Sequence, residues 1–296
     1  MSWISEVLER RFPNNTVALT HFGELLAAYE ASGLAPPNFR QEVSSGERGL
    51  RAHIWESMLY RYFTELGFEF RRNMILKSGQ QGPDFGLLHD GTTIWVEAIV
   101  PEPKGIPDEY LRPPKVGEFL LRTVPHREIL LRWTAALKEK REKFQKYVEN
   151  GIIPANEPTV IAINGCRLAY LFPDDNGVSQ MPVAIEATFP VGPIAVSISR
   201  DGQIDDEATR IPRYSIEYAN RAEVRTDSFL NPLYANVSAV IGAVKWDMLK
   251  PLPLTVLHNP LAVVSLPREI FAATKEYVAD DHGEEYLLRP LTEPPG

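Results

Sequence analysis

Residues 82–100 read GPDFGLLHDGTTIWVEAIV. Two short apolar runs flank Asp90-Gly91, a dipeptide that favours a two-residue hairpin turn because both central positions need positive φ. With that turn, His89 faces Thr92 and Asp84 comes to lie opposite Glu97. Opposed residues have Cβ atoms roughly 4.5–5.5 Å apart, where like charges repel. Such a pair persists if it shares a proton, meets a cation or holds a metal ion. Phe85/Val96 and Leu87/Ile94 share the other face, so the pairing gives one apolar face and one face with two acids.

Upstream, residues 2–11 and 16–31 are predicted helices separated by Pro13-Asn14-Asn15. A polar connector is expected over 34–46. Ser45 is expected to cap a helix over 47–66, which Gly67 stops. Ala52, Trp55, Leu59, Tyr62, Phe63 and Leu66 form its apolar stripe, and Glu56 borders that stripe. Residues 68–76 read as a strand and 77–81 as a loop.

Downstream, 101–123 contains five prolines and is expected to be a long loop, with positive charge from Lys104, Arg112 and Lys115. A helix is predicted over 125–150, ended by Gly151. Its stripe is Leu130, Trp133, Leu137, Phe144 and Val148. Lys140 and Arg141 stand on the margins, while Lys138, Glu139, Glu142, Lys143 and Lys146 are expected to point away. An ammonium at the edge of a buried stripe calls for an anionic partner. Residues 159–164 (TVIAIN) suit a buried strand following a crossover helix, as in a parallel pair. In the last third, strands are expected over 183–189, 194–199, 238–248 and 261–266. A short helix is expected over 267–278, and a loose tail beyond Tyr286. His258-Asn259-Pro260 reads as a turn.

A length of 296 residues allows one large domain or two modest ones. A net charge of −8 argues against a generally basic nucleic-acid coat and leaves room for a local basic cleft. The one cysteine, Cys166, excludes an internal disulfide and fits a reducing cytoplasm. No window reaches the roughly 20 apolar residues of a membrane span. The first fifteen residues lack the pattern of a signal peptide. There is no phosphate-binding Gly-rich loop, no CxxC zinc pattern and no nucleophile–His–acid set.

The order helix, three strands, helix, strand over 47–164, carrying Glu56, Pro83-Asp84 and Glu97, resembles the restriction-endonuclease-like, or PD-(D/E)XK, nuclease superfamily. The resemblance implies an α/β fold whose α-β-β-β-α-β core, over 47–165, is a mixed sheet flanked by helices. An N-terminal helical extension (1–46) and a β-rich C-terminal extension (166–296) would pack on it. In the family, a Pro-Asp opens the second strand, and an acid, a spacer and a lysine follow on the third. Here Glu97-Ala98-Ile99 carries isoleucine in the lysine place. Some members supply that lysine from the following helix. Lys140 matches that position, ahead of Arg141, Lys138 and Lys104.

The resemblance further implies Mg²⁺ or Mn²⁺ held by Asp84, Glu97 and the Ala98 carbonyl, with Glu56 at a second ion or a bound water. Lys140 would stabilise charge on the phosphorus oxygens. Substrate phosphates would meet Lys104, Arg112, Lys115 and Arg141, with Arg71 and Arg72 as further cations. The expected function is metal-dependent endonucleolytic hydrolysis of DNA in the cytoplasm, with no membrane partner and a homodimer left open. The isoleucine at 99 admits an alternative, a catalytically inactive nuclease-fold module that binds nucleic acid or protein. A third reading leaves the acids a chance pair on some other α/β domain.

Overall fold

A computed structural model of the chain describes residues 2–71, 82–112, 115, 117, 123–169, 176–196, 198–201, 209–217, 222–245, 252–283 and 286–291. Four helices come first: α1 Trp3–Arg11, α2 Thr16–Ala31, α3 Phe39–Ser45 and α4 Glu47–Glu65. Strands β1 Glu69–Phe70, β2 Phe85–His89 and β3 Thr92–Ile99 precede α5 His126–Glu149 and β4 Thr159–Asn164. Helix α6 Val183–Glu186 leads to two small ribbons, β5 Val191–Ala195 with β6 Thr209–Pro212, and β7 Ser215–Glu217 with β8 Glu223–Arg225. Strands β9 Ala239–Ala243, β10 Thr255–His258, β11 Lys275–Asp281 and β12 Tyr286–Pro290 complete the chain.

Eight strands form one sheet in the order β1-β2-β3-β4-β9-β10-β11-β12. Strands β3, β4 and β9 run parallel, while β1, β2, β10 and β12 each run antiparallel to a neighbour. The protein is thus mixed α/β, with a large mixed sheet flanked by helices. Strand β4 shows why. Its Val160 and Ala162 join the apolar cluster of α1–α4, and its Ile161 and Ile163 join that of α5 and α6. A strand buried on both faces reads as a continuous apolar run. The first cluster extends from Ile4 to Ala273, so the N-terminal helices share it with the late strands.

The hairpin has the predicted register. Asp90 (φ 47°) and Gly91 (φ 78°) make the turn, and His89 pairs with Thr92, Leu87 with Ile94 and Phe85 with Val96. Phe85, Leu87, Ile94 and Val96 lie in the α1–α4 cluster, as alternation requires. The opposite face is covered too, with Trp95 and Glu97 buried beneath α5.

Several expectations are corrected. The connector over 34–46 contains α3, which lays Phe39 and Val43 in the core. Ser45 does not cap α4. Its hydroxyl donates to the Glu42 carbonyl, and Gly46 precedes α4 without a side-chain cap. Residues 183–189 begin with a helix, α6, because a short apolar run does not distinguish strand from buried helix. Residues 261–266 form no strand, and 267–278 form no helix, their last four residues being strand instead. The strands are β10, just before them, and β11, which starts at Lys275. The expected loose tail forms β12 against β11. Of the strand expected over 68–76, β1 is seen, while residues 72–76, the loop over 77–81 and Arg72 lie outside the described residues.

Helix α6 packs on β9 where the strand has no side chain. A Cβ on Gly242 would come 2.8 Å from Ala184 Cβ and 3.3 Å from the Trp133 ring. Gly242→Ala is therefore expected to destabilise by about 1–3 kcal/mol through overpacking, measured by urea denaturation.

Candidate active site at the carboxyl end of β3

Because β2 and β3 are antiparallel, the start of β2 and the end of β3 meet at one edge of the sheet. The carboxyl ends of parallel β3 and β4 lie there too, where open α/β sheets bind ligands. Asp84 stands just outside the last hairpin pair, and its Oδ2 accepts the Ala98 N–H at 2.7 Å. Glu97 points to α5 and is fully buried. Lys140 Nζ lies 2.6 Å from its Oε2 and Lys143 Nζ 2.9 Å, while Tyr147 O–H donates to Oε1 at 2.9 Å. The Tyr147 hydroxyl also lies 3.1 Å from the Gly82 carbonyl, just before Asp84. Spacings of three, four and seven on α5 put these donors on one helix face.

Burial alone would raise the Glu97 carboxyl, but Lys140 and then Lys143 outweigh it and hold it below its ordinary value. Burial would lower both lysines, but Glu97 and then Asp84 raise them above the usual ammonium range. Asp84 fares differently. Burial and the neighbouring Glu97 push it up to about 7, and the two ammoniums offset this only in part. The lysines are committed to Glu97, and Asp84 is left short of positive charge.

Glu56 reaches the same edge from α4. Its Oε2 meets His53 Nδ1 at 2.8 Å and the Tyr29 hydroxyl at 3.4 Å. His53 Nε2 meets Glu42 Oε2 at 2.7 Å, from α3. Both imidazole nitrogens face carboxylates, so both carry protons. Burial opposes that charge, and Glu56 followed by Glu42 overcomes it, pushing His53 up to about 9.

Glu56 and Asp84 line two clefts. One, of about 300 Å³, also holds Ala98, Lys104, Lys140, Arg48 and Arg132. The other, of about 250 Å³, holds Tyr29, His53 and Arg71. Arg71 stacks on Trp95, 5.4 Å from its ring centre. Sequence reasoning missed Arg48 and Arg132, whose positions on α4 and α5 carry no local signal. Lys143 was expected to point away but reaches Glu97 from the same helix face as Lys140. The structure does not bring the other expected cations together here. Arg112 pairs with Asp108 at 3.0 Å on an exposed turn, and Lys115 is exposed outside the cleft lining. Arg141 packs over Tyr234 at 5.4 Å and pairs with Glu142.

Among the described residues no group of three or more His, Cys, Asp or Glu side chains is placed to hold a metal ion. The donors present are nonetheless of the kind that hard divalent cations take, carboxylates and a carbonyl. The charge shortfall at Asp84 is what such a cation would relieve. Asp84 and Glu56, with the Ala98 carbonyl, would hold it, and Glu97 would join only by releasing an ammonium.

Three variants test this balance. Lys140→Met should destabilise by about 3–5 kcal/mol in urea, because it strips a buried carboxylate of its main partner. Lys143→Met, at a 41 % exposed side chain, should cost about 1 kcal/mol or less. An acid whose pKa rises on folding destabilises the native state increasingly between its unfolded value, 3.8, and its folded value, about 7. Asp84→Asn should therefore gain on the wild type by about 3 kcal/mol from pH 5 to pH 8. An equal advantage at both pH values would put Asp84 in an ordinary solvated setting. Glu97 acts oppositely: its stabilisation is present above 4.5 and lost as pH falls through its lowered folded value. Comparison of the chain with family models, curated proteins and solved structures finds no match.

Proposed function

We propose that the chain is a metal-dependent endonuclease that hydrolyses DNA phosphodiester bonds on a restriction-endonuclease-like core. The observation that carries this reading is the 2.6 Å contact between Lys140 Nζ and Glu97. It brings a helix-borne ammonium to the acid that follows the Pro83-Asp84 hairpin, with Asp84 hydrogen-bonded one residue further on at Ala98. The helix–strand order around it, α4-β1-β2-β3-α5-β4, supports the same reading. A bound Mg²⁺ or Mn²⁺ would supply a polarised phosphoryl oxygen and an acidified water. Asp84 and Glu56 position that chemistry at the cleft. Lys140, reaching both the cleft lining and Glu97, presents positive charge where the phosphorus oxygens would gain negative charge.

Calorimetric titration with Mn²⁺ should show binding to the wild type and at least tenfold weaker binding to Asp84→Asn. Plasmid and single-stranded DNA should be cut by the wild type, and about 10²-fold or more slowly by Asp84→Asn and Glu56→Gln. Lys140→Arg keeps the charge that Glu97 needs and should still lose activity, because a planar fork replaces a point charge. A folded wild type that binds Mn²⁺ and cuts neither DNA form would leave the inactive, nucleic-acid- or protein-binding reading in its place.

A further inference from the structure

The carboxyl edge of the sheet continues beyond the acid cleft. After β4 the chain turns through Gly165, whose N–H donates to the Ala243 carbonyl at the end of β9 at 2.7 Å. Arg167 lies two residues on. Helix α5 crosses the same place, since a Cβ on Gly165 would meet Trp133 Nε1 at 2.9 Å. Arg132, next to Trp133, lines the Asp84 cleft. The chain positions of Arg132 and Arg167 therefore stand on either side of the Trp133–Gly165 contact.

Both arginines are incompletely satisfied. Arg132 Nε and Arg167 Nη1 are buried from solvent and make no hydrogen bond, and neither guanidinium has an ion pair among the described residues. Their neighbours are paired: Arg48 with Glu102 at 3.2 Å, and Arg51 with Glu47. Glu102 and Glu139 share the cleft lining with Arg132, and Glu102 pairs with Arg48 instead. A buried N–H without an acceptor is costly, and a planar fork of donors matches phosphate oxygens.

We infer that Arg132 and Arg167 form a phosphate-binding rail that carries a DNA backbone along the carboxyl ends of β3 and β4 into the acid cleft. The inference rests on the nuclease reading for the choice of polyanion. It does not require cleavage. Each arginine takes one phosphate through charge-assisted hydrogen bonds, so binding is salt-dependent and tolerant of sequence.

The test is fluorescence anisotropy of labelled single-stranded and duplex oligonucleotides at several salt concentrations, in EDTA so that nothing is cut. Arg132→Gln and Arg167→Gln should each reduce the slope of log affinity against log salt by about 0.7 on single strands and about 0.9 on duplex. Arg61→Gln, on the opposite end of α4, should leave it unchanged. Lysine at either position keeps stem and charge, so it should keep the slope and weaken binding severalfold. Unchanged slopes in the folded glutamine variants, or unchanged affinity in the lysine variants, overturn the rail. So does a folded wild type that binds neither oligonucleotide. Binding with the expected slopes but no cleavage in Mn²⁺ sustains the rail and removes the enzyme reading. Cleavage with unaltered slopes does the reverse.

Discussion

A carboxylate with no exposed surface, Glu97, sits between a sheet and a helix. Taking one such charge out of water costs several kcal/mol after relaxation, so it must be met in place. Two ammoniums and a phenol meet it, all from α5. This fixes the rotation of α5 about its axis, since turning the helix would withdraw all three donors together. It also fixes the way into β2, because Tyr147 lies within hydrogen-bond distance of the Gly82 carbonyl. The pair need not add net stability over an apolar packing of equal volume. Its effect is to make alternative packings of α5 expensive.

Meeting Glu97 leaves a deficit one residue along. Asp84 sits beside Glu97 and shares its lysines, yet those lysines are nearer to Glu97 and hydrogen-bonded to it. The backbone N–H of Ala98 holds the Asp84 carboxyl at the cleft instead. Two acids and two ammoniums thus balance in number and not in position. Across the cleft the opposite holds, with the Glu56 carboxylate buttressed by a histidine that bears charge between two acids. The edge of the sheet therefore gathers an acid short of counter-charge and, further on, two arginines with one buried nitrogen each that lacks an acceptor. Under the proposed nuclease reading, a phosphate would meet the arginines and its cation the acid.

What the sequence disclosed follows the range of the interactions. The hairpin was legible because two residues with positive φ set its register, and with it the faces of Phe85, Val96 and Glu97. Lys140 stood out because an ammonium on a stripe margin lacks an obvious solvent position. Lys143 did not, since a lysine beside Glu142 and Lys146 on the border of the helix reads as solvated, and its side chain is still 41 % exposed. The burial of Glu56 and His53 was hidden for a different reason. Helix α4 is covered by α2 and α3 as well as by the sheet, so it has no solvent stripe over much of its length. The Glu42–His53–Glu56 chain crosses between α3 and α4, and no local pattern announces it. The last third misled because its strands are short and pair with partners far along the chain, where apolar runs identify burial and not the element.

The isoleucine at 99 follows from the same geometry. Along β3, residues 97 and 99 share a face, and that face meets α5. Ile99 is half-buried, packing against the α5 cluster at the wall of the acid cleft. Lys140 descends from α5 and delivers an ammonium to Glu97 from the other side of the same interface. One position beneath α5 serves packing and one on it serves charge. The carboxylate, fixed by the strand, does not distinguish which side its cation came from. Positive charge reaches Glu97 from the helix, through Lys140 and Lys143.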